Sequence, residues 1–163
     1  MGRRNDEFER MALPHAPSLL RFALRLARNR PNAEDLVQEA LLLAWRAFPR
    51  FEPGSNARAW LFRILINLFL SQSRKARSAP PVLLLKPENQ AALHSHCESL
   101  EVIQALDRLS AEQRTVLLLA VVEGFTCREI SEILSIPIGT VMSRLARARD
   151  AMREVLAPAK VVR

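Results

Sequence analysis

An all-α protein made of two small helical domains is predicted by three features of the sequence. Leucine and alanine supply 48 of the 163 residues, against four glycines and no tyrosine, a balance that favours helices over strands. Apolar residues recur at helical spacing over about residues 5–77 and again over about 98–157. Between these stretches, the chain from Ser78 to about His96 opens Ser-Ala-Pro-Pro, contains Pro87 and carries few charges, the composition of a flexible linker. The predicted division is residues 1–78, a linker over 79–97, and residues 98–163.

Composition narrows the class further. Hydrophobic residues make up 49% and charged residues 25%, as in soluble globular proteins, and a chain of this length can bury a core without disulfides or metal. The longest apolar run, Val116 to Val122, has seven residues, too few to span a bilayer. No secretory signal is visible, because Arg3 and Arg4 precede acidic residues instead of an apolar stretch. Cys97 and Cys127 form no disulfide framework, so a cytoplasmic location is expected. The net charge of +7 comes almost wholly from arginine, 21 of 24 basic residues. Arginine suits planar, bidentate recognition of phosphates and base edges, which points toward nucleic acid.

In the first domain, Asn32-Ala-Glu-Asp35 reads as a helix start, with Asn32 as N-cap and acids in the first turn. Leu36, Val37, Ala40, Leu41, Leu43, Ala44, Ala47 and Phe48 then form a broad apolar face that must be buried. The remaining stripe is Asp35, Gln38, Glu39, Leu42 and Arg46. Leu42 stands in the middle of polar neighbours, either as an ordinary exposed leucine or as the anchor of a protein-docking face. Pro49 and Pro53-Gly54-Ser55-Asn56 make a loop. A second helix is expected from about Ala57 to Lys75, with Leu61, Phe62, Ile64, Leu65, Leu68 and Phe69 on its core side and Arg63, Asn67 and Arg74 on the other. Trp45 and Trp60 are expected to serve packing before base stacking.

The strongest local signal lies at 126–152. Thr126-Cys-Arg-Glu129 is a capping box opening a short helix whose Ile130, Ile133 and Leu134 face inward. Ser135-Ile136-Pro137 forms the turn, with Pro137 near the start of a second helix. There Ile138, Val141, Leu145, Ala148 and Met152 form the predicted buried stripe, while Thr140, Ser143, Arg144 and Arg147 occupy the opposite face. Such a helix–turn–helix places hydroxyls and guanidinium groups where the DNA major groove can be read.

Taken together, these segments resemble a bacterial RNA polymerase sigma factor of the extracytoplasmic-function (ECF) class, within the sigma-70 family. In the first domain the resemblance rests on Ala33-Glu-Asp-Leu-Val-Gln-Glu-Ala40, Ala44-Trp-Arg46, Phe51-Glu-Pro-Gly-Ser-Asn56, Arg58-Ala-Trp-Leu61 and Asn67. In the second it rests on Leu109-Ser-Ala-Glu-Gln-Arg114, Gly124-Phe-Thr126, Glu129-Ile130, Gly139-Thr-Val141, Ser143-Arg-Leu145 and Arg147-Ala-Arg149. It implies a sigma-2-like helical bundle followed by a sigma-4-like helix–turn–helix domain. It further implies that Asp35, Gln38, Glu39, Leu42 and Arg46 dock on the β′ clamp of core polymerase, with the β subunit a further contact. Ser55 and Asn56 of the loop, with Arg63, Asn67, Arg74 and Lys75, are implied to capture and help melt the promoter −10 element. Arg128, Thr140, Ser143, Arg144 and Arg147 are implied to read the −35 element. The resemblance also implies an anti-sigma factor as partner, no cofactor and no enzymatic activity.

Four positions depart from the family's usual pattern. Ser135 stands where glycine is common, at a cost of about 1 kcal/mol or more if the turn needs a left-handed residue. Met142 replaces a frequent basic residue, Ala146 a polar one and Ile66 an arginine, each expected to weaken phosphate contact. The competing readings are a sigma-like decoy that titrates an anti-sigma factor, and a conventional helix–turn–helix regulator. The retained recognition-helix arginines argue against the decoy. The Asp35–Arg77 segment has no role in the conventional regulator. No phosphate loop, nucleophile elbow or HExxH motif supports an enzyme. His94-Ser-His96-Cys97 has metal-ligand types but lacks a fourth ligand, so no metal site is expected.

Overall fold

The computed structural model describes residues 2–78 and 100–156. Among these residues there are eight α-helices and no strand, the fold class expected from composition and periodicity. The chain divides into two compact units. The apolar Val82–Leu85 segment, the His94/His96/Cys97 cluster and the predicted linker lie outside the described residues.

The first unit holds α1 (Gly2–Ala12), α2 (Ala16–Ala27), α3 (Arg30–Ala47) and α4 (Ala57–Ser78). Helices α2, α3 and α4 pack around Leu19, Phe22, Leu26, Leu36, Leu61 and Phe62, all buried. The Phe22 and Phe62 rings meet edge to face at 5.1 Å, a favoured aromatic geometry. Arg28 ends α2 in a left-handed conformation (φ 57°), so only Arg28 and Asn29 separate α2 from α3. The Asn29 side chain caps α3 by accepting the Asn32 backbone N–H at 3.1 Å. The cap is therefore Asn29, three residues before the expected Asn32, and Pro31 occupies the first turn where its missing N–H is harmless.

On α4 the buried residues are Leu61, Phe62, Leu65 and Ile66, while Ile64, Leu68 and Phe69 are half-buried. Ile66 therefore faces the core. A reduced phosphate grip cannot be ascribed to it, because its side chain is fully buried. Across the unit, Phe8 meets Trp45 and Phe48 at 5.4 Å each, Phe48 stacks on Phe51, and Phe51 meets Trp60 at 4.8 Å. Both tryptophans are half-buried in this row, as their packing role requires, and Arg4 lies over the Trp45 ring. His15, before α2, is held below its ordinary pKa by burial and then by the nearby Arg58 charge.

The second unit is built on α5 (Leu100–Asp107), α6 (Ala111–Val121), α7 (Cys127–Leu134), whose last three residues are grouped with the first unit, and α8 (Ile138–Leu156). A capping box starts α6: Ser110 Oγ accepts the Gln113 N–H while Gln113 Oε1 accepts the Ser110 N–H. Arg114 is buried and donates from Nε to the Leu106 carbonyl at 3.0 Å and from Nη2 to the Leu109 carbonyl at 3.3 Å. This arginine belongs to the interior, tying the α5–α6 connection to α6. Gly124, at φ +72°, carries the chain out of α6 as Phe125 N–H reaches back to the Leu119 carbonyl.

The predicted capping box of α7 is present: Thr126 Oγ1 accepts the Glu129 N–H at 3.2 Å, and Glu129 Oε2 accepts the Thr126 N–H at 2.8 Å. At the turn, Ser135 has φ 53°. Ser131 closes it, its carbonyl accepting the Ile136 N–H and its hydroxyl donating to the Ile136 carbonyl at 2.6 Å. Helix α8 then buries Val141, Leu145 and Ala148, with Met152 half-buried. Ile138 departs from expectation: it is 48% exposed, because as the first residue of α8 it lies beyond the surface its own stripe covers.

Ser135 carries a Cβ in a backbone region that disfavours one. Ser135→Gly is expected to raise the stability of the α7–α8 helix pair by about 0.5–1 kcal/mol, the relieved strain less glycine's greater unfolded-chain entropy. Slower amide hydrogen exchange across α7 and α8 will report the gain, and unchanged or faster exchange will refute it.

Candidate nucleic-acid interface

Two surfaces of the first unit and one of the second gather the residues singled out from the sequence. On α3, Asp35, Gln38, Glu39, Leu42 and Arg46 are all exposed along one face. Leu42 is 48% exposed, so an apolar side chain does stand in solvent among polar ones. Beside this face, a groove of about 330 Å³ opens between α3 and the second half of α4, lined by Asn32, Asp35, Leu36, Phe69 and Gln72 among others. Gln72 Nε2 lies 3.4 Å from Glu39 Oε2, at the long limit of a hydrogen bond. The groove was not foreseen. Its walls come from helices distant in sequence, and only the apolar excess on α4 hinted at it.

The second surface is the loop before α4 and the outer face of α4. Ser55 and Asn56 are exposed, yet both side chains also have local work. Ser55 Oγ donates to the Glu52 carbonyl at 2.7 Å, and Asn56 Oδ1 accepts the Ala59 N–H at 3.0 Å, capping α4. Gly54 supplies the positive φ, +88°, that the turn uses. The loop is thus held at one end by the Phe51–Trp60 contact and at the other by the Asn56 cap. Arg63, Asn67 and Arg74 are exposed on one face of α4, with Lys75 exposed to one side of it.

The third surface is the helix pair α7–α8. Arg128 is exposed in the first turn of α7. On α8, Ser143 and Arg147 are exposed, whereas Thr140 and Arg144 are half-buried at the margin. Ser143 Oγ donates to the Thr140 carbonyl at 3.1 Å, which leaves its lone pairs facing outward. Met142, at 58% exposure, and Ile138 extend this solvent face. No acid occurs on α8 before Asp150, so its first three turns present only neutral and cationic side chains. Among the described residues, no group of three His, Cys, Asp or Glu side chains is placed to hold a metal ion. No helix among them is long and apolar enough to cross a membrane.

Comparison with known proteins gives this geometry a family. Residues 11–79 match the family model for Sigma-70 region 2, and residues 99–152 match that for Sigma-70, region 4. The ECF RNA polymerase sigma factor EcfG of Rhodopseudomonas palustris is 40% identical over 148 residues, covering 88% of this chain and 82% of the relative. The chain belongs to the ECF RNA polymerase sigma factors. A second relative, SigL of Mycobacterium tuberculosis, is 37% identical over 161 residues, covering 91% and 88% of the two chains. Among solved structures, the sigma factor RpoE of Bartonella quintana, crystallised with the anti-sigma factor NepR, matches with a TM-score of 0.74 and 35% identity over 96% of this chain and 99% of that one. Members of this family are non-enzymatic transcription initiation factors, and this ECF factor acts in transcription initiation.

The α4 cap at Asn56 can be tested by mutation. Asn56→Ala is expected to cost about 1 kcal/mol of stability through the lost cap, while Asn56→Ser keeps the cap and leaves stability within a few tenths of that of the parent chain. Thermal unfolding of both variants distinguishes them, and equal losses would show that Asn56 does not act as a cap.

Proposed function

We propose that this ECF factor binds core RNA polymerase and directs it to specific promoters, with the three surfaces dividing the work. The exposed α3 face, Asp35 to Arg46 with Leu42 at its centre, docks on the β′ clamp, and the β subunit adds a further contact. The loop at Ser55 and Asn56, with Arg63, Asn67, Arg74 and Lys75 of α4, engages and helps open the −10 element. Extruding a base costs a few kcal/mol, which the energy of polymerase binding must offset. Arg128, Thr140, Ser143, Arg144 and Arg147 meet the −35 element. Of those on α8, Arg147 and Ser143 are exposed while Thr140 and Arg144 are half-buried, so the first two are the better placed for base edges.

One observation carries this reading: a single chain holds both a mixed-charge face with an apolar anchor and an acid-free helix face bearing outward arginines. A conventional regulator has no use for the first, and a decoy has no use for the second. An anti-sigma factor is proposed as a further partner, supported by the 35%-identical relative crystallised with NepR.

Run-off transcription from fragmented genomic DNA with bacterial core polymerase tests the proposal. The chain is expected to produce discrete transcripts that share upstream −35 and −10 sequences. Leu42→Asp should weaken core binding by about ten- to a hundredfold, the worth of burying one leucine, and initiation falls with it. Arg147→Ala should leave core binding intact and cut promoter-specific initiation by about tenfold or more, as expected for a lost base contact. Co-elution with core and transcript yield separate the two defects. If both variants fail at the same step, the division of labour is wrong.

A further inference from the structure

The solvent face of α8 has an apolar row that phosphate and base hydrogen bonding leave unexplained. Ile138 and Met142 are one turn apart on the same edge of the helix, and they are 48% and 58% exposed. Ser143 and Arg147, also one turn apart, are exposed on the other side of the same face. Between the two rows stand Gly139 and Ala146, both exposed and neither reaching beyond a Cβ. The middle of the face is therefore low and its two margins are raised, one polar and cationic, the other apolar.

The charge around the apolar row argues what meets it. Arg149 continues the edge of this row two turns beyond Met142, Arg147 stands exposed on the opposite margin, and no carboxylate precedes Asp150 on the helix. An apolar protein surface would have to leave the exposed guanidinium groups of Arg147 and Arg149 without counter-charges at such a contact. A polyanion satisfies them and can still offer apolar surface, because the major-groove edge of thymine carries a C5-methyl group. Recognition helices present their N-terminal residues to base edges, and Ile138 is the first residue of α8.

We infer that Ile138 and Met142 are specificity-determining residues that select thymine in the −35 element by packing against its C5-methyl group. This rests on the proposed reading of the −35 element by α8. It gives Met142 a selective role in place of the phosphate contact a basic side chain makes there.

Deoxyuridine differs from thymidine only by that methyl group. Holoenzyme assembled from the full chain and core polymerase is footprinted on a promoter recovered by run-off transcription, with each −35 thymine of either strand replaced singly by deoxyuridine. The parent chain is expected to lose about fourfold in affinity at one or two positions, the worth of one buried methyl group. Ile138→Ala or Met142→Ala should abolish the loss at the corresponding position while the remaining −35 protection persists. Equal affinity for thymidine and deoxyuridine at every position overturns the inference. So does a penalty that survives in both variants, or a protected −35 element without thymine on either strand. Transcription without any −35 footprint overturns the underlying reading itself, and the inference with it.

Discussion

The reversal of the chain between α7 and α8 is the constraint on which the second unit's surface depends. Within the Ser135–Pro137 turn the backbone must leave one helix and enter another, and here a left-handed residue makes the exit. Ser135 accepts that conformation at φ 53° despite its Cβ, and Ser131 compensates by bonding twice to Ile136. The angle at which α8 leaves this turn fixes which of its residues are covered. Val141, Leu145 and Ala148 go inward, so Ser143, Ala146 and Arg147 must point outward. The composition of the exposed face is thus a consequence of turn geometry acting through helical periodicity.

The first unit solves a different problem. Helices α3 and α4 are both more apolar than one buried face requires, so some apolar surface stays near solvent. On α3 it emerges as Leu42, and between α3 and α4 as the groove reached by Phe69 and Leu36. A single exposed leucine needs no explanation in a soluble protein. A leucine flanked by charges of both signs, on a face whose Asp35 also lines an open groove, is a better candidate for an anchor, because the charges can fix orientation while the apolar contact supplies affinity.

What could be read from the sequence was whatever short-range chemistry decides. The Thr126–Glu129 box and the exposed Leu42 depend on residues a few positions apart, and each stands in the structure where it was expected, while Ser135 meets the left-handed condition under which its side chain was expected to cost stability. The misplacements have tertiary causes. Asn29 and Asn32 are equally good caps in isolation, and the choice fell to the left-handed Arg28 that ends α2 early. Ile66 sits in a nearly unbroken apolar run, where periodicity cannot pick the centre of the buried arc. Packing against α2 and α3 did so. Ile138 extends a correct stripe by one turn too many, past the end of the surface that covers it. Arg114 carried no signal of burial in its charge, since the carbonyls that receive it belong to a bend that exists only in the folded chain.

The charge patterns of the two exposed faces argue for different kinds of partner. On α3 the face alternates carboxylates at Asp35 and Glu39 with the guanidinium of Arg46. A polyanion would be repelled at one end of that face, whereas a protein surface can complement both signs at fixed positions. On α8 the cations have no acid beside them until the fourth turn, and the same reasoning reverses: a uniform positive field attracts phosphates without regard to sequence. Such a field supplies affinity and leaves selectivity to short-range contacts with base edges. On α8 the groups proposed to make them are the guanidinium of Arg147 and the hydroxyl of Ser143 on one margin, and the apolar side chains of Ile138 and Met142 on the other.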